Sequence, residues 1–298
     1  MDLFLTILAD GLLYASWLFI VALGLTLVFG VLKIVNIAHG AFYAIGAYAG
    51  ASLVGLAVGL GLPTAFTLVA MLLAAAAVAA ALGPLLERTV LRFFHGRDEV
   101  VLLVVTYALF LILDDGTKLV WGAGAYYASE PYGLFGDIAL GPLFYVGYDA
   151  FLIVLAVTCG LAVWFVLNHT SIGKIVLAVI FDKEISQAMG VRITRVHVAA
   201  FTVGVFLAAL GGAFTAPMIS VQPGLGVGVI ILSFAVVVIG GLGSIEGAAI
   251  GAVIVGLARA SAVHLAPNAE LFSIYLAMTC VLVFRPEGLF QAAAVRKI

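Results

Sequence analysis

The chain has 298 residues, of which 65% are hydrophobic and only 9% charged. A soluble domain carries about a quarter charged residues, so this composition excludes a water-facing globule and places the chain in a membrane. The net charge of −2 and the lack of a basic stripe exclude nucleic acid as a partner and leave membrane lipid as the surrounding medium.

Hydropathy predicts an all-α, polytopic transmembrane bundle of about nine spans, within a range of about eight to ten, each needing roughly 20 apolar residues. The first is expected from about Leu12 to Val31 and the second from near His39 to Leu60. A turn at Gly61-Leu62-Pro63 leads into the third, which runs to about Gly83. The polar stretch Glu87–Val100 separates it from a fourth span at Val101–Val120. A loop rich in Gly, Tyr and acidic residues precedes the fifth, Tyr148–Leu167. The sixth is placed at His197–Met218, the seventh and eighth flank a glycine break at Gly240–Gly247, and the ninth covers Leu271–Phe284. No linker divides the chain, so residues 1–298 read as one domain. The N-terminus lacks a basic n-region and a cleavage site, so no signal peptide is expected.

Basic residues orient the bundle. Lys33, Arg88, Arg92, Arg97, Lys174, Lys183, Arg192, Arg195, Arg285, Arg296 and Lys297 fall on one side of this topology, and only Lys118 and Arg259 on the other. The positive-inside rule then puts the N-terminus outside and the C-terminus in the cytoplasm. Trp121, Tyr126, Tyr127 and Tyr132 suit an outer interfacial belt. Arg259 is expected to snorkel or to pair with Glu270.

The stretch at about 168–196 is basic and helix-patterned between apolar runs. Asp182 is placed as an N-cap, Glu184 suits the positive end of the helix dipole, and Gly190 is placed as the residue that ends the helix. Phe181, Ile185, Ala188 and Met189 share one face, and Lys183, Ser186 and Gln187 the other. Such a helix either presents a docking face to the water or lies on the headgroups.

Asn36, His39 and Gly40 interrupt an apolar region, and either line a substrate path or cap span ends. Gly240, Gly241 and Gly243 allow a sharp turn or unwound backbone that reaches the same path. Gly46 with Gly50, and Gly247 with Gly251, have the small-residue spacing of close helix pairs, within the bundle or between subunits. Gly204, Gly211, Gly212 and Pro217 are expected to kink the sixth span. Cys159 and Cys280 lie in apolar runs and read as buried thiols. No P-loop, nucleophile elbow, carboxylate pair or His/Cys/carboxylate run is present, so neither catalysis, a cofactor nor a metal is expected. Energy for active transport then comes from a partner or from an ion gradient.

Several of these motifs carry a resemblance. Gly173-Lys174, Asp182-Lys183-Glu184 and Met189-Gly190-Val191 resemble the cytoplasmic coupling loop of the branched-chain amino acid permeases of ABC importers. The runs Gly24–Gly30, Val35–Gly40, Gly240–Ile245 and Phe284–Phe290 resemble further signatures of that family, so the likeness spans roughly residues 10 to 290. It implies a permease subunit that pairs with a sister permease, two cytoplasmic ATP-binding subunits and an extracytoplasmic solute-binding protein. It assigns ATPase coupling to Phe181, Asp182, Lys183, Glu184, Ile185, Met189 and Gly190. The sequence departs from the family at Ala41 and near Arg259, where acidic residues are common, at Ile185-Ser186, which replace paired alanines, and at Leu177, which replaces a basic residue. Related permeases carry urea, short amides and other small polar solutes. The alternative class is a secondary transporter driven by an ion gradient.

Overall fold

The computed structural model describes residues 2–140 and 143–290. The expected basic residues Arg296 and Lys297 lie outside the described residues. Eleven α-helices follow in order: α1 Asp2–Leu32, α2 His39–Gly59, α3 Phe66–Thr89, α4 Glu99–Trp121, α5 Gly147–His169, α6 Ser171–Phe181, α7 Lys183–Ala188, α8 Ile193–Thr215, α9 Leu225–Gly240, α10 Ile245–Leu265 and α11 Glu270–Phe284. The loop before α5 is not wholly irregular, because β1 (Asp137–Leu140) and β2 (Leu143–Val146) pair as an antiparallel hairpin.

Helix α1 is the axis of the bundle, packed by α10, α8, α5 and α9. A helix apolar on every side is stable only when enclosed. Leu18, Ile20, Val21, Ala22, Leu23, Leu25 and Val28 are accordingly all buried. Helices α3, α4 and α5 lie at the periphery and expose Leu72, Leu73, Val104, Ile112, Val154 and Leu161. Side chains of this kind face lipid at no penalty, whereas water would not tolerate them.

Among the described residues, seven helices are long and apolar enough to cross a membrane. The expected seventh and ninth spans fall short, because α9 has 16 residues and α11 has 15. At 1.5 Å per residue these reach about 22–24 Å, less than a hydrocarbon core of ~30 Å. The start of α9 explains its shortness. A Cβ on Gly40 would meet the Gly226 carbonyl, so α9 begins inside the bundle, against the first turn of α2.

The glycine pairs serve packing within the chain. A Cβ at Gly46 would run into the backbone of Ala209, and one at Gly50 into Ala213. Gly247 meets Gly240 and Gly251 meets Val236 in the same way. Helix α8 runs without a break to Thr215, and Pro217 lies outside it, in the 3-10 turn that follows. Gly204 and Gly211 of α8 instead receive Val28 and Val21 of α1. Arg259 pairs with Glu270, Nη2 to Oε1 at 2.5 Å, and its guanidinium lies over the Tyr14 ring at 4.1 Å. Of the expected aromatic belt, Tyr127 is exposed, while Trp121 stacks on Tyr48 and donates from Nε1 to Ser52 Oγ at 2.8 Å. Cys159 and Cys280 are free thiols, half-buried and exposed respectively.

Candidate functional site

The turn from α5 to α8 is built by local chemistry. Thr170 caps α6, its Oγ1 accepting from Gly173 N–H at 3.1 Å. Gly173 is required there, because a Cβ would strike the Val166 and Leu167 carbonyls where the chain bends back. Asp182 then does two jobs from an extended backbone. Its N–H closes α6 on the Ala178 carbonyl, and its Oδ1 opens α7 by accepting from Ile185 N–H at 2.8 Å. At the other end Gly190 has φ +88°. Gly190 N–H donates to Gln187 O and Val191 N–H to Ser186 O, both at 3.0 Å, which is the Schellman pattern. Both caps expected from the sequence are therefore present in the geometry.

The faces of α7 are reversed relative to a helix that folds its apolar side inward. Ser186 is 5% exposed, while Phe181, Ile185 and Met189 are 49%, 63% and 80% exposed. Ser186 Oγ satisfies itself on the Asp182 carbonyl at 2.7 Å. The apolar side chains are left unpartnered beside an open groove of about 620 Å³, lined by Ile175, Val176, Met189, Arg192 and Arg195. Behind them, Ile180 and Phe181 line a smaller cavity of about 220 Å³ together with Thr26 and Gly30 of α1 and with Gly243–Glu246 at the start of α10. The end of α6 and the glycine turn thus face each other across this cavity.

His39 and Gly40 open α2 and Asn36 stands just before it, but this helix start is enclosed in the bundle beside α1. Lys33, at φ +56°, turns the chain back after α1. Residues 34–38 then climb into the bundle, where Thr106 Oγ1 donates to the Val35 carbonyl at 3.2 Å. His39 ends beside Val21 and Gly24. That is two to three turns up α1 from Leu32, roughly 12–16 Å. Its Nε2–H donates to the Val21 carbonyl at 3.0 Å, which leaves Nδ1 as a bare acceptor. Asn36 is buried with neither its Oδ1 nor its Nδ2 paired. One turn further along, Tyr43 and Thr215 share a 2.5 Å hydroxyl hydrogen bond. Polar groups enclosed at this depth without partners are uncommon and mark function more often than stability.

Gly240, Gly241 and Gly243 lie elsewhere, at the far end of α9 from the Gly226–Gly40 crossing, about 21 Å away along the helix. Gly241 has φ +107° and Gly243 φ +87°. The C-terminal signature fills this break: Leu289 N–H donates to Ile239 O and Phe290 N–H to Gly240 O, each at 2.9 Å. The two expected groups of path residues are therefore separate. One is a set of enclosed polar side chains, and the other is a turn locked by residues 288–290 and facing the end of α6.

The profile of the family described as "Branched-chain amino acid transport system / permease component" matches residues 7–284. The chain belongs to that family. The high-affinity branched-chain amino acid transport system permease protein LivH of Escherichia coli K12 is 26% identical, over 99% of this chain and 98% of that one. BraD of Pseudomonas aeruginosa, a permease protein of the same description, is 25% identical over 98% and 97%. The ribose import permease protein RbsC of Haemophilus influenzae is 29% identical over 49% of this chain and 45% of that one. This branched-chain amino acid permease family member is a transport component of the ABC importer class and not an enzyme. It is a multi-pass protein of the plasma (inner) membrane. Permeases of such importers work with ATPase and binding-protein partners and a sister permease.

One cluster in the permease escaped sequence reading. Glu87 near the end of α3, His95 in the following turn and His197 in the second turn of α8 bring their ligating atoms within 4.8 Å of one another. His95 and His197 face each other through Nδ1 at 3.1 Å, and His95 Nε2 lies 3.7 Å from Glu87 Oε1. Burial, with Lys183 nearby, keeps the His95 imidazole below the usual histidine range. The absence of a metal-ligand run in the sequence was no guide here, because α4 to α7 lie between His95 and His197. The one local signal is a Glu and a His spaced across a short turn, which is too common to single out.

Proposed function

We propose that this chain is the transmembrane subunit of an ABC importer for branched-chain amino acids or a related small polar solute. Separate ATPases drive it through α7. The observation that carries this reading is the exposed apolar set of Phe181, which ends α6, Ile185 on the doubly capped α7 and Met189 at its C-cap, on a helix whose buried residue is the polar Ser186. Such a face is stable only when something covers it, and a rigid capped helix transmits force where a floppy loop would not. Motion of α7 reaches the bundle through its contacts with α6 and α8, and from α6 through Ile180 packed on Leu27 and Val31 of α1.

In this reading α7 and Arg285 face the cytoplasm, and the β1–β2 hairpin faces outward toward a solute-binding protein. The basic residues Lys33, Arg88, Arg92, Arg97, Lys174, Lys183, Arg192 and Arg195 then lie on the cytoplasmic side. Asn36 and His39 stand near mid-depth and offer an amide and an imidazole nitrogen to a polar solute. The enclosed geometry corresponds to a closed state, and alternating access requires each partner to bind the two states unequally.

The test is reconstitution of the permease with its ATPases and binding protein in vesicles. Phe181→Ala and Ile185→Ala are expected to lower uptake per ATP hydrolysed by about tenfold while insertion is unchanged. Unchanged uptake after replacing α7 with a flexible linker refutes the coupling role. Uptake driven by an ion gradient without any ATPase would instead establish the secondary-transporter class.

A further inference from the structure

We infer that Glu87, His95 and His197 form a site for one divalent transition-metal ion of the Zn²⁺, Co²⁺ or Ni²⁺ class, which ties the α3–α4 turn to the base of α8. The cluster cannot be closed by its own protons. Glu87 is fully buried, and neither Oε1 nor Oε2 accepts a hydrogen bond. His95 Nε2 is also unpaired, and its 3.7 Å distance to Glu87 is too long for a hydrogen bond. The two imidazoles share at most one proton between their facing Nδ1 atoms, 3.1 Å apart. If His95 donates that proton, its Nε2 turns a lone pair toward the carboxylate. If His197 donates it, the His95 Nε2–H still falls short of Glu87. Either way a buried carboxylate is left without a partner, an arrangement proteins seldom keep.

A metal ion resolves this. Bonds of about 2.0–2.2 Å put neighbouring ligands of a tetrahedral site roughly 3.3 Å apart. The 3.1 and 3.7 Å separations involve opposite nitrogens of His95, and with one ligand atom from each residue the three lie within 4.8 Å of one another, so the side chains must draw in to close on an ion. A modest rotation of the His95 ring brings one of its nitrogens onto the ion. Two imidazoles and one carboxylate leave the fourth position for water. The donor set decides the class of ion. Hard cations such as Mg²⁺ and Ca²⁺ need several oxygens, and this site has one carboxylate. Arg88 and Arg92 act on Glu87 through their charge, and Lys183 on His95, which further disfavours an ion held by electrostatics alone. Because Lys183 opens α7 and acts on His95 through its charge, a bound cation repels it and biases the position of the coupling helix; this consequence, unlike the binding itself, rests on the function proposed above.

Binding is tested on the full chain in lipid nanodiscs, without ATPases, so that failure of the coupling reading leaves the result intact. After chelation the protein is titrated with CoCl₂ and ZnCl₂. The expected result is one ion per chain, a visible Co²⁺ d–d band and a raised thermal midpoint. E87Q and H197Q are each expected to weaken binding by about tenfold or more, and H169Q, on α5, to leave it unchanged. A second measurement uses the native sequence alone: Zn²⁺ should protect the partly exposed His95, and not the exposed His169, from diethylpyrocarbonate. The proposal is overturned if wild type and the E87Q/H197Q double variant bind equally. It is also overturned if metal neither shifts the midpoint nor protects His95.

Discussion

Asn36 shows how much rides on single side chains in a membrane interior. Its amide is sealed from solvent with both polar atoms unpaired. An arrangement of that kind costs about 1–3 kcal/mol per orphaned group and persists only where something gains from it. Asn36→Leu removes the polar atoms and keeps the branched heavy-atom skeleton. The thermal midpoint is expected to hold or rise, and solute uptake to fall by an order of magnitude at unchanged expression. Retained uptake would remove Asn36 from the solute path. His39 differs in kind, since its Nε2 is already anchored on Val21 and only Nδ1 remains to be used.

At the level of helices, close approach replaces the hydrophobic effect as the source of stability, because lipid is as apolar as leucine. The α2–α8 contact rests on Gly46 and Gly50 lying directly on the backbone at Ala209 and Ala213. Gly46→Val is expected to destabilise the protein by about 1–3 kcal/mol or more, read as a lower thermal midpoint in detergent, since a backbone cannot move aside as a side chain can. Gly55, in the same helix, has nothing within 4 Å of an added Cβ. Gly55→Ala is therefore expected to be neutral or to stabilise by up to about 1 kcal/mol. A loss at Gly46 no larger than that at Gly55 would mean that the close approach to Ala209 does not hold α2 in place. The same reasoning explains α8, where glycines that suggest flexibility in a sequence are occupied by Val21 and Val28 of α1.

Over the whole molecule, orientation is the claim most open to direct test. With Cys159 and Cys280 replaced by serine, single cysteines at Ile185 and at Phe144 are expected to react with a membrane-impermeant maleimide from opposite sides of sealed cells, Phe144 from outside and Ile185 only after lysis. Both native positions are exposed, so reach does not limit the outcome. Labelling of Ile185 in intact cells would invert the bundle and remove α7 from any ATPase.

Composition alone was enough to place the chain in a membrane, and the caps at Asp182 and Gly190 were legible because capping depends on neighbours three or four residues away. The family motifs were legible for the same reason, each being a short contiguous run. Depth was not legible. Residues 34–38 are as apolar as a span end, and only the packing of His39 against Val21 puts them inside the bundle. The short reach of α9 depends likewise on Gly226 meeting Gly40. The outward turn of Phe181, Ile185 and Met189 follows from which face of α7 the bundle occupies, which periodicity cannot say. Glu87, His95 and His197 meet only once α3 and α8 are side by side. Local hydrogen bonding and hydropathy are properties of neighbouring residues and are written along the chain; contacts between distant segments depend on how the helices pack, and only the tertiary structure decides them.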